Sequence, residues 1–266
     1  MRMQRAAAPR RSSGNAHPLD VDRWLQERAP SPVVSDVLRC VWSGDLGEMA
    51  VPIPDECVDI IWVAGQLWVC GPESQRRPVR TAPGSPAVGV RFRPGHGPRV
   101  LQVGGAELTD VCVPVTALDR GVRVQNVLQR AAHRGVVDVH ALETLVATLA
   151  CDAWPVDPVA AELGVHICRG TLPLHKIAVA MGRSERDLRR RSRSAFGYAP
   201  ATLARIVRLH RALGLARRSP RGLAELAVAA GYTDQPHMNH DVRALTGTTP
   251  GRLLRSTSSP TERAAD

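Results

Sequence analysis

No run in this 266-residue sequence approaches eighteen apolar residues, which excludes a membrane-spanning helix of ordinary length. The amino terminus, M-R-M-Q-R-A-A-A-P-R-R, is basic but passes into S-S-G-N-A-H-P without an apolar stretch, so no secretory signal is expected and a cytoplasmic location is. Six cysteines, Cys40, Cys57, Cys70, Cys112, Cys151 and Cys168, include no C-x-x-C pair and no histidine at zinc-finger spacing, so no metal site is expected. In a reducing compartment they are expected as reduced, mostly buried thiols. A catalytic nucleophile, a metal cluster and a phosphate-binding glycine loop are all missing at diagnostic spacing, so neither enzymatic chemistry nor a cofactor is expected.

What the sequence has instead is arginine, unevenly placed. The formal charge is +10, yet residues 164–255 carry seventeen Arg or Lys against five Asp or Glu, a net of +12 that leaves the remainder at about −2. A nucleic-acid footprint is therefore expected in the last third only. Within it Lys176 is the one lysine, and guanidinium groups suit bidentate contact with phosphate and guanine edges. A GC-rich coding bias accounts for part of that preference and for none of the clustering.

The chain divides by period and punctuation. Residues 1–18 and 256–266 are rich in Arg, Ser, Ala, Thr and Pro without periodicity and are expected as disordered tails. From about residue 19 to 120, short apolar runs such as V-D-I-I-W-V-A, L-W-V-C and A-V-G-V-R-F-R are broken by Gly and Pro, the pattern of strands and hairpins. Residues 121–158 change to a helical period, with Val124, Val127, Leu128 and Ala131 on one face and Leu142, Leu145, Val146 and Leu149 on another, a connector of two helices. Residues 159–255 form the basic, helical region, beginning with a helix over about 159–169. The fold class is α+β: a mostly β domain followed by helices, then an all-α domain.

Two units in that region share one layout. In the first, Leu174, Ile177, Ala178 and Met181 give a short helix one buried face, Gly182 supplies a left-handed turn residue, and Ser184 with Asp187 starts a second helix. On that second helix Arg186, Arg189, Arg190 and Arg193 share one stripe, while Leu188 and Ala195 turn inward. Four arginines on a stripe repel one another unless an anion receives them; the plain alternative is a solvated charged face. Forty-nine residues on, Leu223, Leu226, Ala227 and Ala230 form the buried stripe, Gly231 the turn and Asp234 the cap, with Pro236 in the first turn and Met238, Val242 and Leu245 inward. Its outward positions are Gln235, Pro236, His237, Asn239, His240 and Arg243. Between the units, a helix from Pro200 to about Ala216 forms a rod of ~24 Å, long enough to place two reading helices in successive major grooves of double-stranded DNA ~34 Å apart.

The residues F-G-Y-A-P at 196–200 and A-G-Y-T-D-Q-P-H-M-N-H-D-V-R-A-L-T-G-T-T-P at 230–250 resemble the DNA-binding domain of the AraC/XylS family of transcriptional regulators, over 164–254. The resemblance implies contacts to base or phosphate from Glu185, Arg186, Arg189 and Arg190 in the first unit and from Gln235, Pro236, Asn239 and His240 in the second. It implies RNA polymerase as a partner and a homodimer as a possible assembly. Ser192 stands where the family has a core phenylalanine, which predicts looser packing or reliance on Phe196. His240 replaces a common arginine and Val242 a common phenylalanine, which predicts weaker binding or another base preference. P-D-E-C-V-D-I-I-W at 54–62, V-C-G-P at 69–72 and G-V-R-F-R-P-G at 89–95 resemble the amino-terminal part of a set of these regulators, implying a cupin-like β domain that dimerises or binds an unknown small-molecule effector, with Asp59, Arg91 and Arg93 facing a pocket.

The leading expectation is a sequence-specific regulator of transcription. Two alternatives stay open: a thiol-based redox or alkylation sensor, and a non-specific architectural DNA binder. Cys57 has no basic neighbour in sequence to activate it, which disfavours the first.

Overall fold

The two-residue turn at Ala64 and Gly65, with φ of 50° and 76°, is the geometry a tight hairpin demands. It closes β4 (Asp59–Val63) on β5 (Gln66–Cys70), with Val63 opposite Gln66. The computed structural model describes residues 25–46, 49–50, 53–76, 79–80, 85–133, 135–170, 172–219 and 221–257. The expected tail at 1–18 lies outside them, as does all of the second tail beyond residue 257.

Around that hairpin an antiparallel six-stranded sheet forms in the order β1-β2-β7-β4-β5-β8, from β1 (Leu25–Arg28), β2 (Leu38–Leu46), β7 (Ser85–Phe92), β4, β5 and β8 (Cys112–Pro114). A two-stranded ribbon joins β3 (Met49–Ala50) to β6 (Val79–Arg80). Alternation along the strands sends Ile60, Val69, Val90 and Phe92 to one face, where they meet Leu128, Leu142, Leu145 and Val146 of two helices, α3 (Gly121–Ala131) and α4 (Val139–Ala150). On the other face the Trp42 ring lies over Gly89, where a Cβ would come within 2.2 Å of the indole.

Two short helices, α1 (His96–Leu101) and α2 (Gly105–Leu108), interrupt the β region, where the sequence pattern predicts strands and hairpins. They project the first domain onto the second.

The basic region is all helical: α5 (Pro158–Arg169), α6 (Leu174–Ala180), α7 (Glu185–Phe196), α8 (Pro200–Arg218), α9 (Leu223–Ala230), α10 (Gln235–Thr246) and α11 (Pro250–Thr257). Its core joins Leu163, Leu188, Ile206, Leu209, Leu226 and Val242 in one cluster. Burying such a side chain completely contributes about 1.5–3 kcal/mol. Ile53, from the first domain, packs against the same cluster. The architecture is α+β, as the periodicities predict.

Candidate nucleic-acid interface

The first unit is assembled by local rules. Ile177 and Ala178 bury one side of α6, Gly182 turns the chain at φ 60°, and Arg183 N–H donates to the Ala178 carbonyl at 2.9 Å, capping the helix. Ser184 Oγ then accepts from Asp187 N–H at 3.1 Å, fixing the start of α7 where the sequence places it. Leu188, Ser192 and Phe196 are buried, which turns Arg186, Arg189, Arg190 and Arg193 outward; all four are exposed and Glu185 is half-buried.

Within the stripe Arg189 pairs with Glu185, and Arg190 lies 2.5 Å from Asp187. Such exposed pairs are worth little, so phosphates can replace these carboxylates at low cost. Arg191 points elsewhere. Its guanidinium meets Asp187 at 3.0 Å and Asp157 at 2.6 Å, and Asp157 is itself the cap of α5, accepting from Val159 and Ala160 N–H. Burial pushes the Asp157 carboxyl up, but the Arg191 hydrogen bond and the two backbone donors outweigh it and hold the group below the usual carboxylate range. Arg191 therefore straps α7 to α5.

The predicted looseness at Ser192 is not found. The side chain is fully buried and its hydroxyl donates to the Tyr198 carbonyl at 2.7 Å. Phe196 is also buried, its ring wedged between Gly95 and Gly164, each leaving only 3.1 Å for an added Cβ.

In the second unit Gly231 turns at φ 93°, Tyr232 N–H donates to the Ala227 carbonyl, and Asp234 Oδ1 caps His237 N–H at 2.7 Å. Pro236, His240 and Arg243 are exposed and Gln235 and Asn239 half-buried; Pro236, Asn239, His240, Arg243 and Ala244 line an open concave surface. His237 turns inward. Its Nδ1 lies 3.3 Å from Thr233, its Nε2 3.6 Å from Asp241, and its ring stands edge-on to Tyr232.

Sequence reasoning missed Asp241. It sits on the buried stripe of α10, 5% exposed, and accepts from Arg205 Nε at 2.9 Å and Arg208 Nη2 at 3.2 Å, both on α8. The signal was an acid three residues after core Met238 facing two arginines one turn apart. The Arg208 guanidinium also covers the Tyr232 ring at 5.3 Å. Burial and Asp241 push the Tyr232 hydroxyl up to about 12, so it stays protonated.

The first domain is docked on both units. Thr109 Oγ1 donates to the Gly197 carbonyl at 3.0 Å and the Tyr198 hydroxyl to the Asp55 carbonyl at 3.1 Å. His210 Nε2 lies 2.7 Å from the Pro54 carbonyl, and Arg76 N–H donates to the Leu245 carbonyl at 2.9 Å. Asp59 and Arg91, cross-strand partners on β4 and β7, satisfy each other in a two-point ion pair at 3.0 and 2.9 Å, with Asp55 at 3.6 Å from Arg91. Burial opposes the charge on Arg91, but Asp59 and Asp55 outweigh it and hold the guanidinium protonated. Arg93 does not join them; its Nε donates to the Ser35 carbonyl.

The cysteine expectation is corrected in part. Cys70 and Cys112 are register partners on β5 and β8 and form a disulfide, Cys40 and Cys57 are buried, and Cys151 and Cys168 are exposed. Burial pushes the Cys40 thiol up to about 11 and raises Cys57, Arg39 at 3.8 Å notwithstanding. Neither is an activated thiolate. Among the described residues no group of His, Cys, Asp and Glu is arranged to hold a metal, and no helix is long and apolar enough to cross a membrane.

Two capped helix-turn-helix units joined by one long helix define a DNA-binding transcription regulator. Residues 177–256 match a family model described as a helix-turn-helix domain, of the AraC type. Residues 26–114 match a Domain of unknown function (DUF6597). No curated protein matches the chain. Among solved structures, the C-terminal domain of AraT, a response regulator from Geobacillus stearothermophilus, aligns with 18% identity over 42% of this chain and 97% of its own, at a TM-score of 0.39. ToxT from Vibrio cholerae aligns with 9% identity over 88% of this chain and 99% of its own, at 0.45. A ToxT structure bound to (E)-4-(8-methylnaphthalen-1-yl)but-3-enoic acid aligns with 9% identity over 88% and 100%, at 0.47.

Proposed function

We propose that the chain is a cytoplasmic, sequence-specific regulator of transcription initiation that reads two successive major grooves of one duplex, α7 in one and α10 in the next. The observation that carries this reading is the exposure of the outward faces of α7 and α10, the second helices of two units joined through α8. That helix has 19 residues, a rod of ~28 Å, which suits grooves ~34 Å apart. Arg186, Arg189, Arg190 and Arg193 supply affinity and orientation through phosphate and base contacts, and Glu185, released from Arg189, can accept from a cytosine amino group. Gln235, Pro236, Asn239, His240 and Arg243 supply discrimination, since Asn and Gln pair with adenine edges. His237 acts mainly from behind this face.

The first domain is the part that senses an effector or dimerises, and its docking on the end of α7 is the route by which a change there reaches the first reading helix. Because Asp59 already occupies Arg91, an anionic effector at that pair has to displace a carboxylate. RNA polymerase contact belongs to this reading as well.

The test is binding to a duplex recovered by selection from random DNA, as a function of salt. Neutralising Arg189 and Arg190 together lowers the slope of log K against log salt by up to about 2 if both meet phosphate, and costs far more affinity than His240→Ala. The reverse ranking overturns this division of labour.

A further inference from the structure

The cluster around Asp241 is an unusual way to hold one helix against another. A carboxylate only 6% exposed costs several kcal/mol of desolvation, which arginine partners at best offset, and apolar packing of the same volume does as well or better for stability. The partners are not economical either. Arg208 Nε and the Tyr232 hydroxyl are buried without a hydrogen bond. What such a cluster provides is direction. Two arginines on α8 grip the two oxygens of one carboxylate on α10, one of them roofs Tyr232 at the turn, and His237 touches both Tyr232 and Asp241. Apolar contacts tolerate sliding and rolling of a helix, whereas these hydrogen bonds fix both.

We propose that Asp241 is a positioning residue for DNA reading: through Arg205, Arg208 and His237 it sets the roll of α10 on α8, and so aims Gln235, Asn239, His240 and Arg243 at their half of the site. Asp241 itself touches no DNA. The inference rests on the reading of α10 as the second recognition helix.

The experiment uses the full-length chain and two duplexes: the site recovered by selection, and the same site with the half assigned to α10 scrambled. Fluorescence anisotropy gives the affinity for each and a thermal melt reports folding. Asp241→Asn, nearly isosteric but uncharged, is expected to weaken binding to the intact site by about tenfold or more, the scale of one misaligned bidentate base contact, while binding to the scrambled duplex changes less than about twofold. Equal losses on both duplexes with an unchanged melt, or no loss on either, overturn the proposal. If Asp241→Asn melts early, the triple replacement Asp241→Leu, Arg205→Leu, Arg208→Met restores a packed junction. It is expected to melt normally and still to discriminate poorly between the duplexes. A folded triple variant that discriminates as the wild type does overturns the proposal. A wild-type chain with no preference between the two duplexes defeats the second-helix reading itself, a separate outcome.

Discussion

Gly105 and Gly104 are neighbours at the start of α2, and the same substitution in each separates docking of the domains from everything else. A Cβ on Gly105 would lie 2.6 Å from Gly197 N, 2.8 Å from the Ser194 carbonyl oxygen and 3.0 Å from that of Arg193, all backbone atoms of the last turn of α7 and its cap. Backbone cannot yield as a side chain does, and overpacking of this kind costs about 1–3 kcal/mol. A Cβ on Gly104 meets only the flexible carboxylate of Glu107, at 2.7 Å, and its cost stays below about 1 kcal/mol. Alanine is intrinsically better than glycine inside a helix by up to about 1 kcal/mol, an effect that favours Gly105→Ala, so a net loss there comes from the clash. In urea denaturation followed by tryptophan fluorescence, Gly105→Ala, with that gain subtracted, is expected to lower the midpoint by up to about 1.5 M for a slope near 2 kcal/mol/M. A Gly105→Ala protein as stable as Gly104→Ala would refute the docking of α2 on α7.

Three further outcomes follow from the same geometry. Ser192→Ala strands the buried Tyr198 carbonyl and should cost about 1–3 kcal/mol; a thermal midpoint within a degree of wild type would contradict the strut. Asp157 has a depressed carboxyl in the fold, so its charge contributes stability that is present above the unfolded value, near pH 4, and is lost as pH falls through the lower folded value. The advantage of wild type over Asp157→Asn in thermal melts should therefore shrink below about pH 4, and an advantage that persists unchanged to pH 2 argues against the Arg191 strap. Arg190→Ala should cost ~1–3 kcal/mol of operator binding and either flatten the salt dependence or relax base preference; unchanged affinity and salt slope in a gel-shift titration remove Arg190 from the interface.

Much of the second domain was legible because its determinants are local. Ser184 and Asp234 declare helix starts through their side-chain oxygens and Gly182 a helix end through its backbone, and the stripe from Leu223 to Ala230 repeats every three or four residues. The missed features depend on partners distant in sequence. The pairing of Cys70 with Cys112 follows from β8 returning beside β5 across 42 residues, a register that no spacing reveals. Asp241 reads as an ordinary helix acid until α8 brings Arg205 and Arg208 to it. Helices α1 and α2 are short and Gly- and Pro-rich, so propensity speaks against them; packing of Gly97 on Val58 and Gly71 on Leu108 allows them. The proposed contact residues stand on the outward faces of α7 and α10, apart from the inward-turned His237, whereas Arg93 lies away from the Asp59–Arg91 pair because its side chain is spent on the Ser35 carbonyl.

The central claim is that one chain reads two successive grooves, and selection of bound sites from random DNA with the full-length protein tests it most directly. The account predicts a bipartite motif whose two blocks lie about 10–10.5 base pairs apart, centre to centre, one block lost when Arg189 and Arg190 are neutralised and the other when Asn239 and Arg243 are. A single block, or recovery of DNA with no enriched sequence, would contradict it.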